Sequence, residues 1–403
     1  MFTCDHHPDI VYIEEVMREG MQIEGAAIAV ADKVALLDAL SQTGLDQIAV
    51  GSFVSARYTP QMACMEELAS QFTPRPGVTY LALALNARGA ERAQAYAPPL
   101  TIERGSPRPR LSCHMCDVFV RRNINRSQAD EVAAWPGIVA KAKAAGRREA
   151  SIGVNAAFGS NFLGDFPIEA VMRMLEIQHA LWHEAAIPVT ELRFGDPMGW
   201  CHPAKVTELL ARCRRRWPAL KDFSLHLHNS RGMAMACIYA GILALDASHT
   251  LRLEGTLGGI GGCPYCGNGR ATGMVATEDL VHMLDGMGYR TSVDMRRLLS
   301  CVDMLERMIG RASWGHVSRA GPRPADRSEL LDINAPFIET LDQAQHFRRG
   351  PAAYEGGVVP WREPIQSAYR DRIDQGLPAY DVDGDWPWTQ PHFPQPPRRE
   401  QGS

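Results

Sequence analysis

Short apolar runs alternate with longer runs of helical periodicity along the first three quarters of the chain. Residues 78–85 are almost continuously apolar, as expected for a strand buried on both faces of a parallel sheet. Residues 30–40 carry apolar side chains at helical spacing, and Gly44 follows as a suitable helix terminator. The predicted strands are 11–16, 47–53, 78–85, 111–116, 150–156, 190–194, 223–228 and 251–255. The predicted helices are 30–40, 60–72, 87–97, 127–145, 167–186, 203–217, 233–245 and 277–287.

Strand–helix pairs repeated in this order predict an α/β fold, a (β/α)₈ TIM barrel in residues 1–311. An open, doubly wound sheet is the structural alternative. We favour the barrel because potentially reactive residues follow many different strands, and in a barrel those strand ends meet at one mouth. The proline-rich segment 98–109 is predicted to be a loop inserted before the fourth strand. Residues 312–403 are predicted to be a partly irregular, Pro- and Trp-rich extension ending in an extended tail.

Composition narrows the class of protein. The 403 residues are 45% apolar and 22% charged, with a formal net charge of −4, which is typical of a globular enzyme. This balance gives no reason to expect a nucleic-acid partner or binding to a membrane. The N-terminus lacks the layout of a secretory signal, and the ten cysteines are scattered. We therefore expect a cytoplasmic protein with reduced thiols.

The strongest local signal is the pair His226 and His228 at the end of the seventh predicted strand. Alternate residues of a strand face the same side, so both imidazoles are expected to point into the barrel near its rim. A shared metal ion is one reason for two such groups, and a hydrogen-bonded pair of core histidines is the other. The rim position favours the metal.

A second signal, Arg18 and Glu19, directly follows the first predicted strand. A carboxylate there can bind a metal, and an Arg can stabilise the oxygen of a developing enolate or carboxylate. An exposed ion pair in a turn is the simpler interpretation of these two residues taken alone.

The segment 255–267 holds six glycines and the pair Cys263 and Cys266. Such a segment suits a mobile loop that closes over a substrate, with Cys263 as a donor or acceptor of protons. A flexible surface loop with inert thiols fits its glycine content equally well. A structural zinc site at Cys263 and Cys266 is a weaker alternative, because no second cysteine pair lies nearby.

Two further residues lie at predicted strand ends. His114 is expected to reach the barrel mouth, whereas the cysteines beside it are expected to be buried hydrophobic residues. Asp196 follows the sixth strand and suits a contact to the substrate or to a metal ligand. It also suits a simple turn, since the Asp-Pro sequence initiates turns.

Taken together, these motifs resemble the 3-hydroxy-3-methylglutaryl-CoA lyase branch of the DRE-TIM metallolyases. The resemblance spans about residues 11–311 and leaves the C-terminal extension unexplained. The matching motifs, in chain order, are REGMQ at 18–22, GSFVS to PQM at 51–62, RRNINRS at 121–127, GD at 195–196, HLHN at 226–229, GGCPY at 261–265 and ATEDL at 276–280.

The resemblance implies a division of roles among the site residues. The implied catalytic residues are Arg18, Cys263, Gln22 and Asp196, and the implied metal ligands are Glu19, His226 and His228. The implied substrate contacts are Asn229, Ser52, His114, Asn268 and Arg126. Arg18 would stabilise an enolate oxygen, and Cys263 would be the acid/base of the loop.

Three residues depart from the family pattern. The family has Asp where this chain has Glu19, an Asn ligand where it has Met274, and an acidic residue where it has Ala49. A thioether suits Mg²⁺ or Mn²⁺ poorly, so Asn268 or Cys266 could replace the missing ligand. The resemblance implies Mg²⁺ or Mn²⁺, and the departures leave Zn²⁺ or Co²⁺ open.

The resulting hypothesis is a metal-dependent carbon–carbon lyase of the retro-Claisen or retro-aldol type. Its implied substrate is a small molecule, a 3-hydroxyacyl-CoA thioester or a related hydroxy acid, and its implied assembly is a homodimer. The first alternative is a condensing synthase or a 4-hydroxy-2-oxo acid aldolase on the same fold. The second is a non-catalytic barrel that binds a metabolite, which Met274 and Ala49 motivate.

Overall fold

The structure is a computed structural model that describes residues 1–57, 59–84, 87–103, 108–266, 273–337, 340, 346–381 and 384. The chain divides into two units, Met1–Ser318 and Arg319–Ser403. In the described part of the chain, no helix is both long and apolar enough to cross a membrane.

Nine parallel strands form one sheet in the described residues of the first unit. They are β1 (Asp9–Glu14), β2 (Gln47–Ser52), β3 (Thr79–Leu83), β4 (Leu100–Glu103), β5 (Arg110–His114), β6 (Ala150–Asn155), β7 (Val189–Asp196), β8 (Asp222–Leu227) and β9 (Thr250–Gly255). Their order in the sheet is β4-β3-β2-β1-β9-β8-β7-β6-β5. This order follows the chain around a circle, so the predicted α/β barrel is confirmed.

Helices follow the strands and cover the outside of the sheet. They are α1 (Val30–Leu40), α2 (Met65–Gln71), α3 (Ala87–Gln94), α4 (Asp117–Ile124), α5 (Gln128–Ala144), α6 (Ile168–Glu184), α7 (Pro203–Arg216), α8 (Ala234–Leu243), α9 (Thr277–Gly286) and α10 (Met295–Ile309). A continuous apolar core between helices and strands includes Trp135, Trp182 and Phe223, all nearly fully buried. Helices α4 and α10 were not predicted from the sequence.

The prediction of a loop over the whole of 98–109 was wrong. Leu100–Glu103 forms β4, which pairs in parallel with β3 from Tyr80↔Leu100 to Leu83↔Glu103. Leu100 is buried, and Thr101 and Ile102 are β-branched, a residue type that favours strands. The prolines on both sides of this strand favoured the prediction of a loop, although the four residues between them are suited to a sheet.

Two buried carboxylates fix the base of the glycine-rich segment, where β9 ends. Glu14 accepts hydrogen bonds from the backbone N–H groups of Val16 (2.8 Å) and Leu257 (2.9 Å). Glu278, at the start of α9, accepts one from Gly258 (3.0 Å) through Oε2, while its Oε1 has no partner. Burial raises the pKa of Glu14 to about 7 and that of Glu278 to about 8.

The second unit has little regular structure in its described residues. Helix α11 (Val317–Ala320) spans its start. Two more short helices follow, α12 (His346–Arg349) and α13 (Ala368–Asp374). Phe337 and Val358 form an isolated antiparallel bridge. The proposed extended tail after residue 390 lies outside the described residues.

Replacing Glu278 with Gln tests the raised pKa. A carboxyl whose pKa is higher in the folded state contributes stability below its unfolded pKa and loses it as pH rises through about 8. We expect Glu278→Gln and the wild type to unfold at similar temperatures at pH 5, and the variant to be more stable by about 2–4 °C at pH 9. Calorimetry at both pH values measures this difference. Glu184→Gln, at an exposed helical position, is the control. An identical pH dependence in Glu278→Gln and the wild type would contradict the assignment.

Candidate functional site

The end of β8 brings two imidazoles together at the barrel mouth. His226 lies on the inner face of the sheet, opposite Gly195 of β7, and His228 follows directly after the strand. The backbone N–H of His228 donates to Asp196 O (3.1 Å), which fixes its position. The Nε2 atoms of the two histidines are 3.2 Å apart. The strand alternation predicted this convergence correctly, since both side chains point the same way.

Glu19 approaches this pair from the first strand. The tight helical turn Val16–Gly20 follows β1 and carries Glu19, a buried residue, towards the histidines. Its Oε1 lies 3.7 Å from His228 Nε2. One ligand atom from each of Glu19, His226 and His228 lies within 4.8 Å of the others, a spacing that a single ion can span. In the described residues, this is the one such group of three.

Arg18 lies between two carboxylates. Its guanidinium forms ion pairs with Glu15 and with Glu19, the second at 2.9 Å. Burial alone would raise the pKa of Glu19, but Arg18 and the histidines outweigh burial and hold this pKa below its usual value. Burial raises the pKa of Glu15 to about 7. Glu19 is therefore the carboxylate of this turn that is suited to remain ionised as a ligand.

Glu254 is a site residue that the sequence analysis missed. It lies on the inner face of β9, its carboxylate contacts His226 Nδ1, and it accepts a hydrogen bond from Arg193 Nη2 (3.0 Å). Burial alone would lower the pKa of His226, yet Glu254 raises it, while His226 and Arg193 hold the pKa of Glu254 well below its usual range. Glu254 therefore fixes His226 with Nε2 facing His228. The sequence offered one indication of this role, which is that Glu254 occupies an inward-facing position of a predicted strand.

His228 has a different environment. Burial and the neighbouring His226 lower its pKa to about 4, so the ring is neutral at physiological pH. Its Nδ1 is buried without a hydrogen-bond partner, and Nε2 faces His226 and Glu19. A neutral imidazole is the form that binds metals, and the polar side of this ring points at the proposed ion.

The donor set fits a divalent metal ion. Two imidazoles and one carboxylate, with Glu254 orienting one imidazole, form a common arrangement of ligands and supporting groups. Met274, where the family pattern has an Asn ligand, is buried and forms an isolated bridge with His228. A thioether suits Mg²⁺ or Mn²⁺ poorly, which leaves the remaining coordination positions to water or substrate.

The glycine-rich segment lies against the turn that carries Glu19 as far as it is described. A Cβ atom at Gly261 would come within 2.9 Å of Glu19 O, and the φ of Gly261 is 105°, so this close approach requires glycine. Cys263, two residues further on, packs into an apolar cluster that contains Met198, Cys116 and Cys266. Cys263 therefore lies two residues beyond the point where the loop backbone contacts the turn that carries Glu19.

Two side chains hold this loop at the mouth. Arg122 donates from Nε to Tyr265 O (2.9 Å), and Asn161 donates to Cys266 O (2.9 Å). The Cys266 thiol donates to Pro197 O (3.1 Å) within the apolar cluster. Among the described residues, the thiols of Cys263 and Cys266 are not in a group of three potential metal ligands, so nothing here favours the structural zinc alternative.

A cavity of about 350 Å³ lies in the barrel next to His226. Its lining includes Arg18, His226, Glu254 and, from β5, His114. His114 is held by Glu131 at Nδ1 (2.8 Å) and by Asn155 at Nε2 (3.1 Å). The expected position of His114 at the mouth agrees with this geometry, and its contact with a substrate stays a prediction.

Several predicted residues have other contacts or lie away from the cavity lining. Asp196 accepts hydrogen bonds from Trp200 N (3.0 Å) and Cys201 N (2.7 Å), so its carboxylate holds a turn. Asn229 accepts one from Ala234 N (3.1 Å) at the start of α8.

The four other predicted site residues differ in burial and in their distance along the chain from the cavity lining. Gln22 is half-buried just after the turn that carries Glu19, and Ser52 is buried at the end of β2. Arg126 is exposed and absent from the cavity lining. Asn268 lies outside the described residues. Their roles in substrate binding or catalysis stay predictions.

Comparison with known proteins gives one consistent family. The family model described as HMGL-like matches residues 10–305. The hydroxymethylglutaryl-CoA lyase YngG of Bacillus subtilis is 33% identical over 306 residues, which cover 76% of this chain and 95% of that protein. The (R)-citramalyl-CoA lyase of Chloroflexus aurantiacus is 30% identical over 329 residues, covering 78% and 95%. The crystal structure of the Bacillus subtilis HMG-CoA lyase matches with a TM-score of 0.62 and 30% identity, covering 77% and 98%.

Replacing Glu254 with Gln tests the metal centre without removing a ligand. Loss of the carboxylate that orients His226 is expected to weaken binding of Mn²⁺ by about 10- to 100-fold, measured by calorimetry. Glu131→Gln alters the matching carboxylate–histidine pair at His114 and should bind Mn²⁺ as the wild type does. Unchanged Mn²⁺ affinity in both Glu254→Gln and His226→Ala would show that the ion binds elsewhere.

Proposed function

Because the chain belongs to the HMGL-like family, we propose that it is a metal-dependent carbon–carbon lyase that cleaves a 3-hydroxyacyl thioester of coenzyme A. The observation that carries this proposal is the convergence of Glu19, His226 and His228 beside Arg18 at the barrel mouth. The curated names of two relatives, a hydroxymethylglutaryl-CoA lyase and a citramalyl-CoA lyase, support the thioester as substrate.

The proposed cofactor is a divalent transition metal held by Glu19, His226 and His228. Two imidazoles among three ligands favour Mn²⁺, Co²⁺ or Zn²⁺ over Mg²⁺, which prefers oxygen ligands. When bound, such an ion supplies Lewis-acid stabilisation of oxygen atoms that gain negative charge.

Arg18 is proposed to stabilise the enolate that cleavage leaves behind. In the retro-Claisen direction, the substrate hydroxyl loses its proton, the resulting alkoxide collapses to a carbonyl, and the adjacent carbon–carbon bond breaks. The electron pair of that bond becomes the enolate. The guanidinium of Arg18 is held in place by Glu15 and Glu19 and lines the cavity, so it can face the enolate oxygen without reorganisation.

Cys263 is proposed to return a proton to the enolate carbon. Support for this role comes from its position on the loop whose backbone contacts Glu19 O at Gly261. Arg122 and Asn161 bind the backbone of Tyr265 and Cys266, and these contacts are proposed to hold the loop in place so that it excludes water from the site. Run in reverse, the same groups would catalyse a condensation.

A second function rests on two specific residues. Met274 replaces an expected oxygen ligand, and Ala49 contributes an apolar side chain beside Ile13 and Leu81 inside the barrel. A barrel with these changes could bind a metabolite without cleaving it. Detectable turnover decides between the two functions.

A cleavage assay tests the lyase. With Mn²⁺ and a panel of 3-hydroxyacyl-CoA thioesters, we expect release of an acyl-CoA fragment and a carbonyl product, detected by mass spectrometry. His226→Ala should abolish turnover, and Cys263→Ala should lower kcat by about 10²- to 10⁴-fold because the enolate loses its acid. Cys64→Ala, at a half-buried thiol directly before α2, should keep wild-type kcat.

Absence of turnover with every metal and thioester, together with measurable binding of the same thioesters, would favour the non-catalytic barrel. Turnover that persists in His226→Ala would contradict the proposed metal centre even if the protein is a lyase.

A further inference from the structure

The proposed reaction begins with loss of a proton from the substrate hydroxyl, and the roles assigned so far leave that proton without an acceptor. An arginine such as Arg18 stays protonated, and Cys263 must keep its proton until the enolate has formed. Glu254 lines the cavity but already contacts His226. The family pattern has an acidic residue where this chain has Ala49, which cannot accept a proton. The acceptor must therefore be another group of the cavity.

A second carboxylate–histidine pair lies at this cavity, besides that of Glu254 and His226. His114 lines the cavity from the end of β5, and its Nδ1 is 2.8 Å from Glu131 Oε1 on α5. Glu131 Oε2 also accepts a hydrogen bond from the backbone N–H of His114 (2.9 Å). Burial alone would raise the pKa of Glu131, but its hydrogen bonds with His114 hold this pKa below its usual value. An ionised carboxylate therefore holds the histidine at two points.

The neighbours of His114 fix which of its nitrogens carries the proton. Asn155 Oδ1 accepts a hydrogen bond from the backbone N–H of Ala156 (2.9 Å), so the amide of Asn155 turns its Nδ2 towards His114 Nε2, at 3.1 Å. An amide nitrogen can only donate, so Nε2 is the accepting nitrogen and Nδ1 carries the proton shared with Glu131. A lone pair on Nε2, with a carboxylate behind Nδ1–H, is the arrangement of a general base.

The strand register places His114 and His226 in one row of the inner face. His114 pairs with Asn155 of β6, and His226 pairs with Gly195 of β7. Asn155 and Gly195 are adjacent, since a Cβ atom at Gly195 would be 2.3 Å from Asn155 Oδ1. The two histidines are thus three strands apart, about 14 Å along the sheet. Both line the cavity of about 350 Å³, so a molecule that fills it lies between them.

We propose that His114 is the general base that takes the proton of the substrate hydroxyl, and that Glu131 is the positioning residue that holds it for this step. This inference rests on the proposed function, because it assumes that the hydroxyl of the thioester lies in the cavity next to His226. The hydroxyl takes the place of the Asn155 amide as the donor to His114 Nε2.

The proton and the electrons balance in this scheme. The lone pair of His114 Nε2 takes the hydroxyl proton, and the electron pair of that O–H bond stays on oxygen. Collapse of the alkoxide forms the carbonyl and breaks the carbon–carbon bond, whose electron pair becomes the enolate. Cys263 then protonates the enolate carbon and is left as a thiolate. Transfer of the proton from the His114 imidazolium to this thiolate, through solvent, restores both groups.

Chemical rescue tests the base. With Mn²⁺ and the thioester that the wild type cleaves fastest, His114→Ala should lower kcat by about 10²- to 10⁴-fold and leave KM close to that of the wild type. Imidazole added to the assay can occupy the space of the missing ring, and it should raise kcat of this variant at least about tenfold. His114→Gln fills the space with an amide that cannot take up a proton, so it should be equally slow and should not respond to imidazole.

Two further variants separate the base from its surroundings. Glu131→Gln removes the carboxylate that fixes the tautomer of His114, and it should lower kcat by about tenfold or more without a response to imidazole. The Mn²⁺ affinity of the His114 and Glu131 variants, measured by calorimetry, should equal that of the wild type, which shows that they are folded with an intact metal site. His183→Ala, at an exposed position of α6, should keep wild-type kcat.

Turnover near the wild-type rate in His114→Gln would overturn the inference and leave the lyase intact. A slow His114→Ala that binds Mn²⁺ normally but shows no rescue by imidazole would also overturn it, because the residue would then act without carrying the proton. A wild-type protein that cleaves no thioester with any metal would instead refute the lyase, and the base with it.

Discussion

The approach of His226 and His228, with their Nε2 atoms 3.2 Å apart inside the barrel, is the constraint on which the site depends. Two imidazoles at this distance need either a shared hydrogen bond or a shared ion, and the carboxylate of Glu19 on the same side favours the ion. The contact of Glu254 with Nδ1 of His226 orients this ring so that its Nε2 faces His228. This arrangement is the basis for the proposed metal ion and for the proposed role of Arg18 beside Glu19.

The sequence predicted those parts of the molecule that depend on local pattern. The period of two in strand β8 was enough to bring His226 and His228 to one face, and the position of Glu19 after the first strand was enough to bring it to the mouth. Strand β4 was missed because prolines surround a run of only four residues. Glu254 and Arg193 were missed because their pairing joins β7 to β9 across the barrel interior, 61 residues apart along the chain. No local pattern reports such a contact.

The glycines of this chain have separable physical roles. Gly261 lets the loop backbone reach Glu19, and Gly153 and Gly195 keep the interior of the barrel open. At the base of the same loop, Glu14 and Glu278 accept hydrogen bonds from the backbone N–H groups of Leu257 and Gly258, so two buried carboxylates hold the point from which the loop departs. A fixed base and a glycine-rich continuation are the arrangement expected of a segment that covers a substrate and then releases it.

The position of a bound ion tests this account most directly. Crystals of the protein grown with Mn²⁺, measured by anomalous diffraction at the manganese absorption edge, would locate the metal without any assumption about the reaction. The account predicts one strong anomalous peak about 2.0–2.3 Å from Glu19 Oε1 and from the Nε2 atoms of His226 and His228. A peak at Cys263 and Cys266 instead, or full Mn²⁺ occupancy away from the histidine pair, would contradict it.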